Sequence, residues 1–327
     1  MTRISKTVRC RYLTLIALIA LAPIACIGDN VKPPRLLLED HPLVDKIWSI
    51  QDEKFVDTTY LVEQARRSDY VLLGETHDNP LHHRHQGEIL AALAKQSKKV
   101  SIVLEMLTDT QAAKLANNTP ESPARFFDII DWDASGWPPR NDYEPLFSVV
   151  LRAKLPLYAG NLDRKMLRAL ISQGQGALPA GLRNYIDANP FSREVLDDMR
   201  EEIMESHCGM LPEDMADGMT LGQRTRDALM AKALIEHRGS GIGGLIAGSG
   251  HTRNDHGVPT YLRSQEPDAR VLAMAWMEVK KDVDDPREYA AAWGSNVLPF
   301  DYVWFTPRID RPDPCAELKA HHMKRKT

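Results

Sequence analysis

The chain has 327 residues, of which 43% are hydrophobic and 26% are charged. This is enough apolar material for one large domain with a buried core, or for one domain with a subsidiary lobe. The formal net charge is −4, and it becomes −8 when the four basic residues within residues 1–25 are left out. An acidic surface of this kind argues against nucleic acid as a partner.

Residues 1–25 have the pattern of a signal peptide. An apolar run from Tyr12 to Ala25 follows four basic residues, which are Arg3, Lys6, Arg9 and Arg11. The run is short for a bilayer crossing and Pro23 weakens its end. These features favour a cleaved signal peptide over the alternative, a membrane anchor helix.

The segment Pro23-Ile24-Ala25-Cys26 resembles a bacterial lipobox. We therefore expect Cys26 to be lipidated, with simple cleavage and secretion as the alternative. Ile27 follows in place of Asp, which in a Gram-negative source points to an outer-membrane lipoprotein of the cell envelope, facing the periplasm or the cell surface. Residues 26–42 contain three prolines and are predicted to form the lipid-anchored tether.

Residues 43–312 have the pattern of one α/β domain. Residues 46–50 and 54–56 flank Gln51-Asp52-Glu53, as in a hairpin. Short continuous apolar runs follow at 70–73, 100–104, 155–159, 244–247 and 271–276. Helical patterns lie between them at 80–97, 142–153 and 219–237. This alternation predicts a mostly parallel central sheet with helices on both faces.

Ionisable residues follow the predicted strands. Glu75 and His77 come after the first strand, Glu105 after the second, and His251 after the fourth. The carboxyl ends of parallel strands meet at one edge, where open α/β sheets bind ligands. We therefore expect these four side chains to form one polar site.

Two chemistries suit this set of carboxylates and imidazoles. His77, Glu105 and His251 could hold a divalent metal, because imidazole and carboxylate are ligands of zinc, manganese and iron. Alternatively, all four residues could be catalytic, with a histidine oriented by a glutamate activating water without a metal. A third interpretation is structural, with the histidines bonding across loops to cap helices.

The helix predicted after the first strand contains three histidines. His82 and His85 share its inward stripe with Ile89, so each is a candidate cofactor-binding residue or a satisfied core histidine. His83 is predicted to point outward into solvent.

Residues of about 165–240 are predicted to form an inserted helical segment resembling a lid. Within it, Met204 and Met210 flank His207 and are candidates for a lid over a flat apolar ligand, whereas packing in a helix core better explains Met219 and Met230. Trp137 and Tyr143 are predicted to lie in an aromatic loop that either walls a pocket or packs over the sheet edge.

Two cysteines remain outside the leader and the lipobox. Cys208 and Cys315 could form a disulfide in an oxidising compartment, or could both stay unpaired. A disulfide would tie the predicted C-terminal tail, residues 313–327, to an internal loop.

Four segments of this sequence together resemble the ChaN-like lipoproteins of the haem-uptake and Tiki superfamily. They are Leu73-Gly74-Glu75-Thr76-His77-Asp78-Asn79-Pro80, Val103-Leu104-Glu105-Met106, Asn161-Leu162-Asp163-Arg164, and Ala247-Gly248-Ser249-Gly250-His251-Thr252-Arg253. The resemblance runs from about Pro42 to the last strand.

The resemblance implies a surface lipoprotein that binds haem and takes part in iron uptake. By the same likeness, Glu75, His77, Glu105 and His251 match active-site positions of metal-dependent proteases and antibiotic esterases in the superfamily. The ChaN-like proteins are associated with a tyrosine haem ligand, for which we choose Tyr143, and haem would bind non-covalently because no Cys-x-x-Cys-His is present. The other candidate cofactor-binding residues are His82, His85, His207, Arg164 and Arg253. Haem or another flat apolar ligand, outer-membrane lipid, a second copy in a homodimer and a haem-uptake receptor are the expected partners.

The sequence thus leaves three hypotheses. The first is a haem- or iron-handling lipoprotein, which the family likeness favours. The second is a hydrolase, which the residue chemistry favours, and the third is a structural envelope protein with a vestigial site.

Overall fold

A mixed sheet forms the centre of the protein in a computed structural model that describes residues 34–95 and 99–324. The predicted leader and the lipidation site Cys26 lie outside these residues. The strands are β1 Leu36–Leu37, β2 Ile47–Ser49, β3 Lys54–Val56, β4 Tyr70–Glu75, β5 Val100–Thr108, β6 Leu157–Asn161, β7 Ile242–Gly248, β8 Val271–Glu278, β9 Tyr302–Thr306 and β10 Arg308–Ile309.

Helices fill most of the intervals between these strands. The α-helices are α1 Thr58–Arg67, α2 Pro80–Ala94, α3 Asp109–Asn117, α4 Pro123–Ile129, α5 Trp132–Ser135, α6 Arg140–Arg152, α7 Arg164–Gln173, α8 Ala180–Asp187, α9 Arg193–Ser206, α10 Glu213–Arg238, α11 Ser249–Thr252, α12 Val258–Gln265 and α13 Pro314–Lys324. Two 3-10 helices lie at Gly174–Ala177 and Pro286–Trp293.

Eight of the described strands form the main sheet, in the order β3-β2-β9-β8-β4-β7-β5-β6. The pairs from β9 to β6 are all parallel, and the β2–β3 hairpin adds antiparallel strands at one side. This confirms the predicted mostly parallel sheet and its hairpin. The continuous burial of β4, β7 and β8 explains why their sequences are apolar runs without alternation.

The sequence did not predict β9 or the small β1–β10 sheet. β9 lies between β8 and β2 in the main sheet and is buried along its whole length. Leu36 pairs with Ile309, so part of the segment assigned to the tether is hydrogen-bonded to a strand near the C-terminus.

Helices cover both faces of the sheet, as predicted. On one face α2 lies between the sheet and α6, so Ile89 and Leu93 pack in the same core as Leu146 and Phe147. On the other face Met230 and Leu234 of α10 pack against sheet residues. Within the segment predicted to resemble a lid, α10 is therefore a core helix, and α7, α8 and α9 pack on it.

The C-terminal helix α13 is joined to the rest of the domain by a disulfide between Cys315 and Cys208. Cys208 follows α9 in a turn with positive φ. This is one of the two states that the sequence left open for these cysteines. Across the described ranges, no helix has both the length and the apolar character needed to cross a membrane.

Candidate functional site

Glu75 and His77 are placed by the end of β4. Glu75 is its last residue, and its side chain is fully buried. The chain before it runs so close to α11 that a Cβ on Gly74 would lie 2.3 Å from Thr252 Oγ1. His77 sits in the turn before α2 and its Nδ1 lies 2.9 Å from Glu75 Oε1. Glu75 thereby orients the imidazole of His77. The His77 side chain is 34% exposed.

Glu105 is the carboxylate at the centre of the site. It accepts a 2.8 Å hydrogen bond from the backbone N–H of Gly248, at the end of β7. His77 Nε2 lies 3.6 Å from one of its oxygens, and His251 Nε2 lies 3.3 Å from the other. Arg226 of α10 approaches the second oxygen at 3.4 Å. The structure thus brings together the four residues predicted from the sequence, around a shared buried carboxylate.

His251 is held from both sides by carboxylates. Its Nδ1 lies 2.6 Å from Asp227 Oδ1, and its Nε2 faces Glu105. Burial lowers the pKa of His251, but the charges of Glu105 and Asp227 outweigh burial and raise this pKa to about 9. His251 is therefore an imidazolium at neutral pH, a proton donor with both ring nitrogens engaged.

Ion pairing also shifts the other titratable groups of the site. Burial alone would raise the pKa of Glu75, but His83 and His77 hold it well below its usual range. Burial would likewise raise the pKa of Glu105, and His251 and His77 reverse that effect. For His77, burial lowers the pKa, and Glu105 and Glu75 more than compensate. Asp227 is the exception, because its burial raises its pKa more than His251 lowers it.

A second layer of side chains lies behind Glu75. Tyr143 Oη donates a 2.5 Å hydrogen bond to Glu75 Oε1, and its ring stacks on His83 at 3.7 Å between centroids. His83 Nδ1 donates to the carbonyl of Asp142 at 2.8 Å, and its Nε2 lies 3.4 Å from Glu75 Oε2. The prediction that His83 is solvated is therefore wrong, because α6 covers the side of α2 that a single-helix pattern assigns to solvent.

Tyr143 differs from its predicted position in a loop. It lies in α6, is fully buried, and has its hydroxyl bound to Glu75. Burial, and next the charge of Glu75, raises the pKa of Tyr143 well above its usual value, which opposes the phenolate form that iron ligation requires. In this conformation Tyr143 is not available as a haem ligand.

The predicted metal ligands form ion pairs with one another. No group of three His, Cys, Asp or Glu side chains in the described residues has a metal-binding arrangement. His77 and His251 contact different oxygens of Glu105. The second ring nitrogen of His251 contacts Asp227. The geometry therefore does not support His77, Glu105 and His251 as a shared ligand set.

His82 and His85 lie outside this cluster. His82 Nδ1 accepts from the backbone N–H of Thr76 at 2.9 Å, and its Nε2 lies 3.0 Å from Thr306 Oγ1. Burial, followed by the charge of His83, sets the pKa of His82 well below its ordinary value, so it is a neutral core residue. His85 stacks on Trp304 at 4.4 Å, and burial lowers its pKa to about 4.

The remaining predicted cofactor-binding residues occupy three separate places. His207 ends α9 and bonds the carbonyl of Ile203 at 2.7 Å, away from the cluster. Arg253 is buried, pairs with Glu202 and Asp255, and lies over the ring of Trp293. Arg164 begins α7 and donates to the carbonyl of Ser135.

Asp227 and Arg226 are site residues that the sequence analysis missed. Both lie on the stripe of α10 that carries Met230 and Leu234 into the core. Charged residues on an otherwise apolar helix stripe were the available signal, since burial of a charge requires a partner. Gln223 lies one turn earlier in α10, and its Nε2 is 3.2 Å from His251 Nδ1.

Two cavities lie near this cluster. The first, which we call the aromatic cavity, has a volume of about 480 Å³ and is lined by His77, Trp276, Met277, Tyr289, Trp293 and Lys280, among others. The second, the cationic cavity, has about 390 Å³ and is lined by Trp137, Met106, Leu167, Lys114, Arg164 and Arg226, among others. His77 lines the first cavity and Trp137 the second, and their ring centroids lie 4.9 Å apart, so the two cavities adjoin at this pair.

A solved structure of similar fold supports this architecture. The ChaN structure from Campylobacter jejuni, described as showing cofacial haem binding, matches with 23% identity and a TM-score of 0.63. The match covers 79% of this chain and 95% of that one. An erythromycin esterase variant, EreC in its open conformation, matches with 11% identity and a TM-score of 0.44, over 82% of this chain and 99% of that one. A comparison with curated protein sequences gave no match.

A family model described as haem-binding uptake, Tiki superfamily, ChaN matches residues 61–262. This range is more than half of the chain and includes Glu75, His77, Glu105, Asp227 and His251. The chain belongs to this ChaN family.

Proposed function

We propose that the protein is an exported lipoprotein that binds haem non-covalently at the carboxyl edge of its sheet and takes part in iron uptake. The observation that carries this proposal is the match of the haem-binding uptake family over residues 61–262. The related ChaN of C. jejuni is described as binding haem cofacially. Membrane lipid at Cys26, a homodimer and a haem-uptake receptor belong to the same proposal as partners.

The aromatic cavity is the part of the site that suits a porphyrin. A porphyrin is flat and largely apolar, and such ligands bind in concave sites with aromatic walls. Trp293 is half-buried in this wall, Trp276 and Tyr289 lie behind it, and Met277 adds an adaptable apolar surface. These residues fit a haem that binds reversibly.

We assign the role of iron ligand to His77 in place of Tyr143, with iron displacing the proton that Glu105 and Glu75 favour on its ring. The His77 side chain is 34% exposed, whereas His251 and His83 are at most 5% exposed. A Cβ on residue 248 would lie 2.8 Å from His77 Nε2, so a side chain at this position would crowd that nitrogen and glycine does not. Glu75 holds the other ring nitrogen at 2.9 Å, as carboxylates do for metal-bound histidines.

The disulfide between Cys208 and Cys315 supports export. Disulfides persist in oxidising compartments such as the bacterial periplasm and are rare in the cytosol. This argument is independent of the leader and of the lipobox.

A titration with ferric haem tests the proposal. The wild-type protein should shift the Soret band of free haem to that of a histidine-ligated species, and His77→Ala should lose this spectrum. Tyr143→Phe should keep it, because the Tyr143 hydroxyl is buried against Glu75.

His85→Ala is the matched control, since it removes an imidazole outside the cluster. If wild-type protein leaves the spectrum of free haem unchanged, haem binding is wrong. If Tyr143→Phe loses the spectrum and His77→Ala keeps it, the ligand assignment is wrong although haem binding stands.

A hydrolase is the second candidate, and the pair of Asp227 and His251 is the observation that favours it. A carboxylate that orients a histidine, next to the Glu75–His77 pair, is an arrangement suited to general acid and base catalysis. Turnover of an ester or peptide substrate that disappears in His251→Asn, with an unchanged melting temperature, would support it.

A further inference from the structure

Three cationic side chains and two carboxylates line the cationic cavity. Lys114, Arg164 and Arg226 line it from α3, α7 and α10, together with the carboxylates of Asp131 and Asp163. Lys114 already pairs with Asp131, and Asp163 accepts from the hydroxyl of Thr110. The two arginines therefore have no carboxylate partner inside the cavity, although Arg226 lies 3.4 Å from Glu105 behind it.

Arg226 has donors to spare. Its Nη2 donates to Gln223 at 2.6 Å and its Nη1 makes a long contact with Glu105. Its Nε is buried and has no hydrogen-bond partner. A ligand in the cavity cannot reach that buried atom, but the Arg226 side chain is 25% exposed and its Nη1 makes only a long contact, so the guanidinium can donate to an anion there.

Arg164 lines the same cavity from the first residue of α7, which packs on α10. Its guanidinium donates to the carbonyl of Ser135, and a Cβ on Gly136 would lie 3.0 Å from its Nη2. Arginine presents a planar fork of N–H donors that matches a carboxylate in two-point contact. Two such forks in a cavity also lined by Met106, Leu167 and Trp137 suit a carboxylate attached to an apolar body.

The two cavities meet at the His77–Trp137 pair, and they differ in the same way as the two edges of haem. One edge of haem carries methyl and vinyl groups and the opposite edge carries two propionates. We propose that haem binds across this junction with its apolar edge in the aromatic cavity and its propionates on Arg164 and Arg226. This orientation rests on the haem binding proposed above. It makes Arg164 and Arg226 the residues that discriminate haem from uncharged porphyrins.

In the opposite orientation of haem, Lys280 is the candidate partner of the propionates. It is exposed at the aromatic cavity, with Nζ 5.5 Å from the centre of the Tyr289 ring. We favour the arginines because there are two of them and because a guanidinium matches a carboxylate better than an ammonium does.

The test compares haem with haem dimethyl ester, in which both propionates are esterified, on the whole chain in detergent. Wild-type protein should bind haem at least about tenfold more tightly than the ester, a ratio expected for charge-assisted hydrogen bonds. Arg164→Ala and Arg226→Gln should each weaken haem binding, leave ester binding unchanged, and reduce that ratio. Arg168→Ala, an exposed arginine on the same helix α7, is the matched control and should change neither value.

Circular dichroism and melting temperatures separate loss of binding from loss of fold, which matters most for Arg226→Gln. Equal affinity for haem and its dimethyl ester in the wild type would overturn the orientation while leaving haem binding intact. If Lys280→Ala lowers the ratio of haem affinity to ester affinity and Arg164→Ala does not, the proposed orientation is wrong and the reverse one is correct. No binding of either porphyrin would instead overturn the proposed function itself.

Discussion

Buried charges at the strand ends determine the chemistry of this protein. Glu105 accepts a backbone N–H and faces two imidazoles and a guanidinium, so three potential cations share one carboxylate. Asp227 adds a second carboxylate on His251. Such a network is stable only while each member keeps its partners, because an unpaired buried charge is strongly destabilising.

The pKa of His251 predicts how stability depends on pH. A folded-state pKa of about 9, above the usual 6.5, gives a contribution that is complete below pH 6.5 and is lost as the pH rises through about 9. The loss is on the order of 3 kcal/mol for a shift of this size. In Asp227→Asn the pKa of His251 should fall, and the decrease in stability between pH 6.5 and 9 should shrink.

Urea unfolding of both proteins at several pH values measures this effect. Asp268→Asn, at an exposed position in the turn before β8, is the control and should behave as wild type. Equal pH dependence in Asp227→Asn and wild type would show that Asp227 does not set the pKa of His251.

Among the secondary-structure elements, α13 depends most on a covalent link. Its Leu318 is 38% exposed, so apolar burial holds it weakly, while Cys315 ties it to the turn after α9. The disulfide spans 107 residues along the chain, and bridges over long intervals restrict the unfolded state most.

Cys315→Ala should lower the free energy of unfolding by roughly 2–5 kcal/mol, because it removes that restriction. Amide hydrogen exchange in α13 should become fast, and haem affinity should not change, since the cavities lie elsewhere. Dithiothreitol should bring the melting temperature of wild type to that of the variant and leave the variant unchanged. An identical melting temperature in the oxidised wild type and in Cys315→Ala would contradict this prediction.

At the scale of the whole molecule, the sequence predicts a leader and a lipobox ahead of the α/β domain, and that domain contains a disulfide. The proposed export would place the domain in an oxidising compartment, where disulfides persist. The balance of 45 acidic to 41 basic residues is the basis for the prediction that nucleic acid is not a partner.

Replacing the lipidation site tests this placement. In a Gram-negative host the wild type should fractionate with outer-membrane lipids, and Cys26→Ala should appear as soluble periplasmic protein, because one residue carries the acyl chains. Cys10→Ala, within the leader, is the matched control and should stay attached. Membrane attachment that is unchanged in Cys26→Ala would show that something other than Cys26 anchors the protein.

The parallel sheet and the four central site residues could be predicted from the sequence. Buried parallel strands require continuous apolar runs, and their register aligns their ends, as in the pairing of Glu75 with Gly248. The residues that follow those runs therefore lie together at one edge of the sheet. The positions of Glu75, His77, Glu105 and His251 follow from this local rule.

The partners of these residues depend on contacts between segments that are distant in the chain. His83 and Tyr143 face Glu75 only because α6 packs on α2, and no periodicity within α2 reports that neighbour. Asp227 reaches His251 because α10 crosses under the strand ends. The same holds for the two cavities, since each is lined by residues from several elements. Tertiary packing thus decided which histidines are core residues, which tyrosine is inaccessible, and which side chains line the two cavities.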